Sequence, residues 1–162
     1  MCNILVLAVI FVVSIQEALS YRCPVGWEQH GVSCYLFSKN KLNWKDSLDS
    51  CASVGGWLAA IESKSENMFI KSRLYHEFAS LYFWLGATDQ FRSDKKWYWV
   101  QTEQNIKTGY SDWYRTEPDN PGKQHCLAMW KDFHYQWSND YCNLMLGYIC
   151  ERPLLLLTSA QL

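Results

Sequence analysis

Residues 81–86 read Leu81-Tyr82-Phe83-Trp84-Leu85-Gly86. This aromatic, β-prone run is where the chain changes character. Upstream of it, apolar residues recur at helical spacing. Asn43 can cap a helix carrying Trp44, Leu48 and Cys51, and Gly55-Gly56 can stop it, because glycine tolerates a left-handed C-terminal cap. Ser63-Lys64-Ser65-Glu66 has the form of a capping box, and the helix after it sets Ile70, Leu74 and Phe78 on one face. Leu58–Ile61 is a short apolar strand between the two helices. Ser33–Phe37 is another before the first, with Cys23 and Cys34 near enough to staple a hairpin.

Downstream, Trp97–Val100 is a second aromatic strand, and Asp89–Lys96 before it is polar. Residues 101–124 form a long polar stretch with no clear period, which in a compact domain is usually functional. Cys126–Trp130, Tyr135–Trp137 and Tyr148–Cys150 follow as short strands. Two helices followed by strands around one large loop define an α+β domain.

The ends frame this domain. Residues 4–13 are apolar, and Ala18-Leu19-Ser20 is a small-x-small triplet, so residues 1–20 read as a secretory signal peptide. The domain spans residues 21–152. Residues 153–162 are a short tail read as frayed, whose leucines are too few to span a membrane. All 15 Lys and Arg lie beyond Ser20, and of the 16 acids only Glu17 precedes it, so the mature chain is neutral. That balance gives no bulk attraction to nucleic acid. Of seven cysteines, Cys2 leaves with the signal. The remaining six imply three disulfides in a secreted chain, with the pairing left open by spacing. With no Cys-x-x-Cys and four scattered histidines, a zinc site is not expected. No Asn-x-Ser/Thr sequon occurs, nor any Gly-x-Ser-x-Gly, His-Glu-x-x-His or phosphate-binding loop, so the chain does not read as an enzyme.

The assembled pattern resembles the C-type lectin-like domain over nearly all of Cys23 to Arg152. The residues that carry the resemblance are Trp44, Cys51, Gly55-Gly56-Trp57-Leu58-Ala59, Phe83-Trp84-Leu85-Gly86, Glu117-Pro118-Asp119, Cys126, Trp137, Cys142 and Cys150. The texture is similar to small perlucin-like invertebrate lectins. The resemblance implies pairings Cys23–Cys34, Cys51–Cys150 and Cys126–Cys142, the first marking the long form of the family. It also implies two helices packed on antiparallel strands beside a long loop region.

The resemblance further implies a calcium ion at Glu117-Pro118-Asp119, a cis peptide before Pro118, and direct binding of two vicinal sugar hydroxyls by the ion. Calcium takes six to eight oxygens, and an X-Pro bond makes the cis form accessible. The family's further ligand positions fall on Gln124, which keeps an oxygen and loses a charge, and on the segment Trp137-Ser138-Asn139-Asp140. Counted back from Cys142, the Asn and Asp positions hold Ser138 and Asn139. Counted forward, Asn139-Asp140 is the right pair displaced by one, which a strand turns to the opposite face unless a bulge intervenes. The expected set is therefore Glu117, Asp119, Gln124, Asn139 and Asp140 for the metal, the first four of them also touching sugar. Trp113, His134 and Tyr135 are candidate stacking residues; Trp84, Trp99 and Trp137 are assigned to the core. A second calcium site would need Asp89 and Asn120 with Ser93, Gln124 and His125, and is not expected.

The implied function is calcium-assisted binding of mannose- or galactose-type glycans outside the cell. The alternative is a calcium-independent member whose loop binds protein or a calcium carbonate surface. Mass analysis of the secreted protein should show a start near Tyr21 and the loss of six hydrogens, one per cysteine; a titratable thiol would overturn the three-bridge framework.

Overall fold

The structure is a computed structural model that describes residues 20–79, 81–91 and 94–157. All but the last residue of the expected signal peptide thus lies outside the described residues. The strands are β1 (Ser20–Arg22), β2 (Glu28–His30), β3 (Ser33–Leu42), β4 (Trp57–Leu58), β5 (Phe83–Thr88), β6 (Tyr98–Trp99), β7 (Cys126–Trp130), β8 (Gln136–Asp140), β9 (Leu146–Pro153) and β10 (Leu155–Leu157). Helix α1 (Trp44–Ser53) lies between β3 and β4, and α2 (Lys64–Glu77) between β4 and β5. Both start where their caps were expected. The Asn43 side chain accepts the Asp46 N–H, and the Ser63 side chain accepts the Glu66 N–H.

The main sheet runs β2-β3-β9-β5-β7-β8, with β4 beside β9 and β6 beside β5. One expectation needs correcting. The sheet is mixed, because β5 and β9 pair in parallel, Phe83 with Gly147 and Trp84 with Tyr148. Parallel neighbours need a long crossover. The chain supplies one by running through the whole loop and the β7–β8 hairpin before β9 returns to the middle of the sheet.

Strand β5 is buried along its entire length, and its alternation separates two cores. Phe83, Leu85 and Ala87 face α2 (Ile70, Leu74) together with Trp99 and Trp137. Trp84 faces α1 (Trp44, Cys51) and Cys150. Both buried indoles are hydrogen-bonded: Trp44 Nε1 donates to the Leu85 carbonyl at 2.9 Å and Trp84 Nε1 to that of Leu42 at 3.0 Å. Gly86 is where β5 meets the segment after β4. Its N–H donates to Ala59 O at 2.9 Å, and a β-carbon there would lie 2.3 Å from the Leu58 carbonyl oxygen. Only glycine permits that approach, and this accounts for the last letter of the 81–86 run.

The disulfides pair as the resemblance implied, Cys23–Cys34, Cys51–Cys150 and Cys126–Cys142. The second encloses a span of 99 residues, the long loop that most restricts the unfolded chain. The tail departs from the frayed reading over residues 155–157, which pair antiparallel with Ser20–Arg22. Residues 158–162 lie outside the described residues. Among the described residues, no helix is long and apolar enough to cross a membrane.

Behind β3 sits a buried acidic latch. The Tyr35 hydroxyl lies 2.7 Å from Glu66 Oε1 and 3.5 Å from Glu151 Oε1, joining β3 to the start of α2 and to β9. Glu66 also accepts the Glu62 N–H, and Glu151 accepts from Ser33, Trp57 and the Ala60 N–H. Burial pushes the Glu66 carboxyl up to about 7 from its ordinary 4.5. Burial also raises Glu151, and it lifts Tyr35 well above the ordinary tyrosine range, helped by Glu151 and Glu66. The native state therefore holds the Glu66 proton more tightly than the unfolded chain does. Its stabilising contribution is full below pH 4.5 and is lost as pH rises through about 7. The urea midpoint of wild type should fall between pH 5 and pH 8, with the Glu66 part worth about 2–3 kcal/mol. Glu66→Gln should flatten that dependence, leaving the smaller slope from Glu151. Equal slopes would show that Glu66 ionises normally.

Candidate functional site

The long segment after β6 is not structureless. The short 3-10 turn Ile106–Thr108 buries Ile106 to 1 % exposure. Asp112 O accepts the Trp137 N–H and Trp137 O accepts the Tyr114 N–H, both at 2.9 Å, so the loop runs along β8. The Asp112 carboxylate is held in turn by Asn67 and Lys71 of α2 and by Gln136.

This anchoring delivers Glu117-Pro118-Asp119 to the edge of the sheet. The Glu117–Pro118 peptide is cis. Glu117 Oε2 accepts the Asp119 N–H at 3.3 Å, so the two acidic flanks turn towards one another. The tightest contacts belong to Asn139. Its Oδ1 accepts the Asp119 N–H at 2.9 Å, while its Nδ2 donates to Asp119 O at 2.6 Å and to Gln124 O at 3.0 Å. Asn139 thus clips both arms of the loop to β8. Gln124 reaches Asp140 Oδ1 at 3.4 Å, and Asn120 donates to Asp119 and Gln124.

Glu117, Asp119, Gln124, Asn139 and Asp140 all line one shallow depression of about 240 Å³. The bulge that could have realigned the last two is absent: β7 and β8 pair without a shift from Cys126–Asp140 to Trp130–Gln136. Side chains alternate, so Asn139 points away from the face that carries Ser138 and Asp140. Ser138, which sequence reasoning left outside the main set, also lines the depression, and its hydroxyl helps hold the Glu117 carboxyl down. That carboxyl is nonetheless raised, chiefly by burial and then by Asp119. Asp140 is raised by burial, against the Tyr141 N–H and the Gln124 amide.

Carboxyls strained upward in this way are relieved by a cation. Among the described residues, no three His, Cys, Asp or Glu side chains converge closely enough to hold a metal. A cation would draw as well on the amide and hydroxyl oxygens of Gln124, Asn139 and Ser138. An all-oxygen set with few charges suits calcium held weakly. At the position of a second calcium, His125 Nδ1 lies 2.6 Å from Asp89 Oδ1; Ser93 lies outside the described residues.

The expected stacking residues require correction. Tyr135 is fully buried, with its hydroxyl donating to Phe78 O at 3.2 Å. Trp113 packs edge-on against Trp97 and Trp137. His134 is exposed in a left-handed turn and does not line the depression. The aromatics that do line it are Trp130 and Phe133. Phe133 is stacked on Tyr114 at 4.2 Å, and Trp130 packs against Tyr82 at 4.4 Å. Trp130 and Ser138 share a face of the β7–β8 pair, which is how a residue far along β7 reaches the site. A period-2 reading of Cys126–Trp130 could have found it.

This small α+β domain, with a cis-Pro loop that presents acids and amides beside the sheet edge, has clear relatives. The chain matches the Lectin C-type domain over residues 40–152 and belongs to that family, which at family level is a carbohydrate-binding and non-enzymatic one. It is 31% identical over 131 residues to a perlucin-like protein of Mytilus galloprovincialis, covering 80% of this chain and 82% of that one. The mouse scavenger receptor C-type lectin carbohydrate-recognition domain superposes with a TM-score of 0.73 at 25% identity, covering 83% of this chain and 99% of that one. A structure described as an SPL-1–GlcNAc complex superposes with a TM-score of 0.70 at 29% identity, covering 80% and 94%.

Removing the clip should free the loop and leave the domain folded. Asn139→Ala deletes all three of its loop hydrogen bonds, at a cost of about 1–3 kcal/mol. Amide exchange should accelerate in residues 117–125 and stay slow in β5 and β9. Unchanged protection of the loop would show that Asn139 is not what holds it.

Proposed function

We propose that the protein is a secreted lectin that binds glycans at the Glu117–Asp119 depression with the help of one weakly held calcium ion. The observation that carries this reading is the convergence of Glu117, Asp119, Gln124, Ser138, Asn139 and Asp140, from two separate chain segments, on one depression. Bound calcium would supply a positive centre for two vicinal hydroxyls. Everything else falls to the chain. Glu117 and Asp119 only accept hydrogen bonds. The Asn139 amide is committed to two backbone carbonyls and the Ser138 hydroxyl donates to Asn139 O, so the hydrogen-bond donor left for sugar is the Gln124 amide. Phe133 and Trp130 offer an apolar surface for a sugar face. Three disulfides suit an oxidising, extracellular setting.

A second reading has one specific observation in its favour. Asn139 Oδ1 already accepts the Asp119 N–H, and Gln124 brings no charge, which together favour a calcium-independent member binding protein or mineral through the same loop.

Calorimetry separates the two. Calcium should bind with a dissociation constant of about 10⁻⁴ to 10⁻³ M, and Glu117→Ala should abolish the heat. With calcium present, mannose and galactose should bind within about tenfold of each other, a difference of ~1.4 kcal/mol. Asp119→Asn should shift preference towards mannose and Glu117→Gln towards galactose. No heat at millimolar calcium would move the protein to the second reading, and a hundredfold preference in wild type would place specificity beyond these two carboxylates.

A further inference from the structure

On the other side of the Asn139 clip lies a second cleft of about 400 Å³. It shares Asp119, Gln124 and Asn139 with the depression already described, and is lined besides by Lys95, Lys96 and Lys107 and by Asp89, whose carboxylate lies 2.6 Å from His125 Nδ1. Sequence alone does not bring these lysines together. They meet because the segment of Lys95 and Lys96 and the segment of Lys107 are stitched by a hydrogen bond from Ile106 N–H to Trp97 O at 3.0 Å. Each segment is pinned by a buried neighbour, Trp97 at 6 % exposure and Ile106 at 1 %.

The three lysines outnumber the two carboxylates of the cleft, Asp89 and Asp119. Lys96 approaches the exposed Asp94 at 3.5 Å, and that carboxylate also accepts the Tyr98 hydroxyl. Among the described residues, Lys95 and Lys107 have no carboxylate within ion-pair distance. The mature chain is neutral, so a wall of three exposed lysines in one cleft is a local concentration of charge. Three ammonium groups against the two carboxylates of the cleft, Asp89 and Asp119, leave a local excess of positive charge, which gathers anions. The cleft also lies within the size range of small-ligand sites.

We propose that this lysine wall binds an anionic substituent, a sulfate ester or a carboxylate, on the glycan whose hydroxyls occupy the Glu117–Asp119 depression. The preferred ligand is then an acidic sugar. The inference rests on the proposed sugar site, because the two clefts adjoin only through Asp119, Gln124 and Asn139. Ammonium groups suit this role, since each can donate in several directions to a tetrahedral or planar anion without fixed geometry.

The test is calorimetry on the full chain with calcium, comparing galactose, galactose 6-sulfate and glucuronic acid at low and high salt. Wild type should bind an acidic sugar about tenfold more tightly than galactose, with the advantage shrinking as salt rises. The double variant Lys95→Gln, Lys107→Gln removes two exposed side chains and should fold normally. It should lose the advantage and keep galactose affinity unchanged. Preference for the sulfate over the glucuronate, or the reverse, identifies the substituent. If galactose binds and neither acidic sugar binds better, the lysine wall is overturned and the sugar site stands. If the advantage survives in the double variant, the wall is likewise overturned. If only acidic sugars bind, and they do so through the lysines, the wall stands and the carboxylate depression is not the primary site. If none binds, both fall.

Discussion

The structure depends on β5 having no exposed face. A strand buried along its whole length must satisfy its backbone entirely within the protein. It does so through β9 on one side, β7 on the other and β6 near its end. Its two rows of side chains then divide the interior into a core under α2 and a core under α1. Gly86 is the point at which this demand becomes absolute, since the backbone after β4 passes where a side chain would stand. The helices, the crossover and the disulfide between Cys51 and Cys150 are arrangements around that enclosed strand.

The candidate site is built on the opposite principle. Strand β8 is the edge of the sheet, and an edge leaves backbone groups free to pair. Here the loop takes them: Trp137 exchanges hydrogen bonds with residues 112 and 114, and Asn139 adds its side chain to the same task. Covering the edge and presenting Glu117 and Asp119 are therefore one act. The cost falls on Asn139, whose two amide N–H groups are spent on holding the loop and are not left for a ligand. The depression's hydrogen-bonding character thus leans towards acceptance, with the Gln124 amide as its side-chain donor.

Much of this was legible in the sequence, for physical reasons. The helix starts were visible because Asn43 and Ser63 act on neighbours three residues away, and local chemistry is written in local order. The 81–86 run, the disulfides and the acidic loop were visible through the pattern they share with a known family. What stayed hidden is non-local. The parallel pairing of β5 with β9 depends on which strand returns to the middle of the sheet. The partners of Asn139 depend on the continuity of the β7–β8 register. Tyr135 reads as a surface aromatic until the turn at His134 directs it inward to Phe78, and the half-buried Phe133 lines the depression instead. The lysine wall needs a single hydrogen bond between Ile106 and Trp97 that no spacing announces.

The pairing of β1 with β10 has a mechanical consequence. Ser20–Arg22 and Leu155–Leu157 lie side by side, next in the chain to β2–β3 and β9, while the acidic depression lies on β8 at the far edge of the sheet. A pull on both ends at once is taken first by that short two-stranded clasp, which peels one bond at a time. Beyond it the load meets β3 against β9, braced by Cys23–Cys34 and Cys51–Cys150. The Glu117–Asp119 loop lies off this line of force. Tethered by its ends, the domain would behave as a pendant whose acidic depression stays slack while its attachment is under tension.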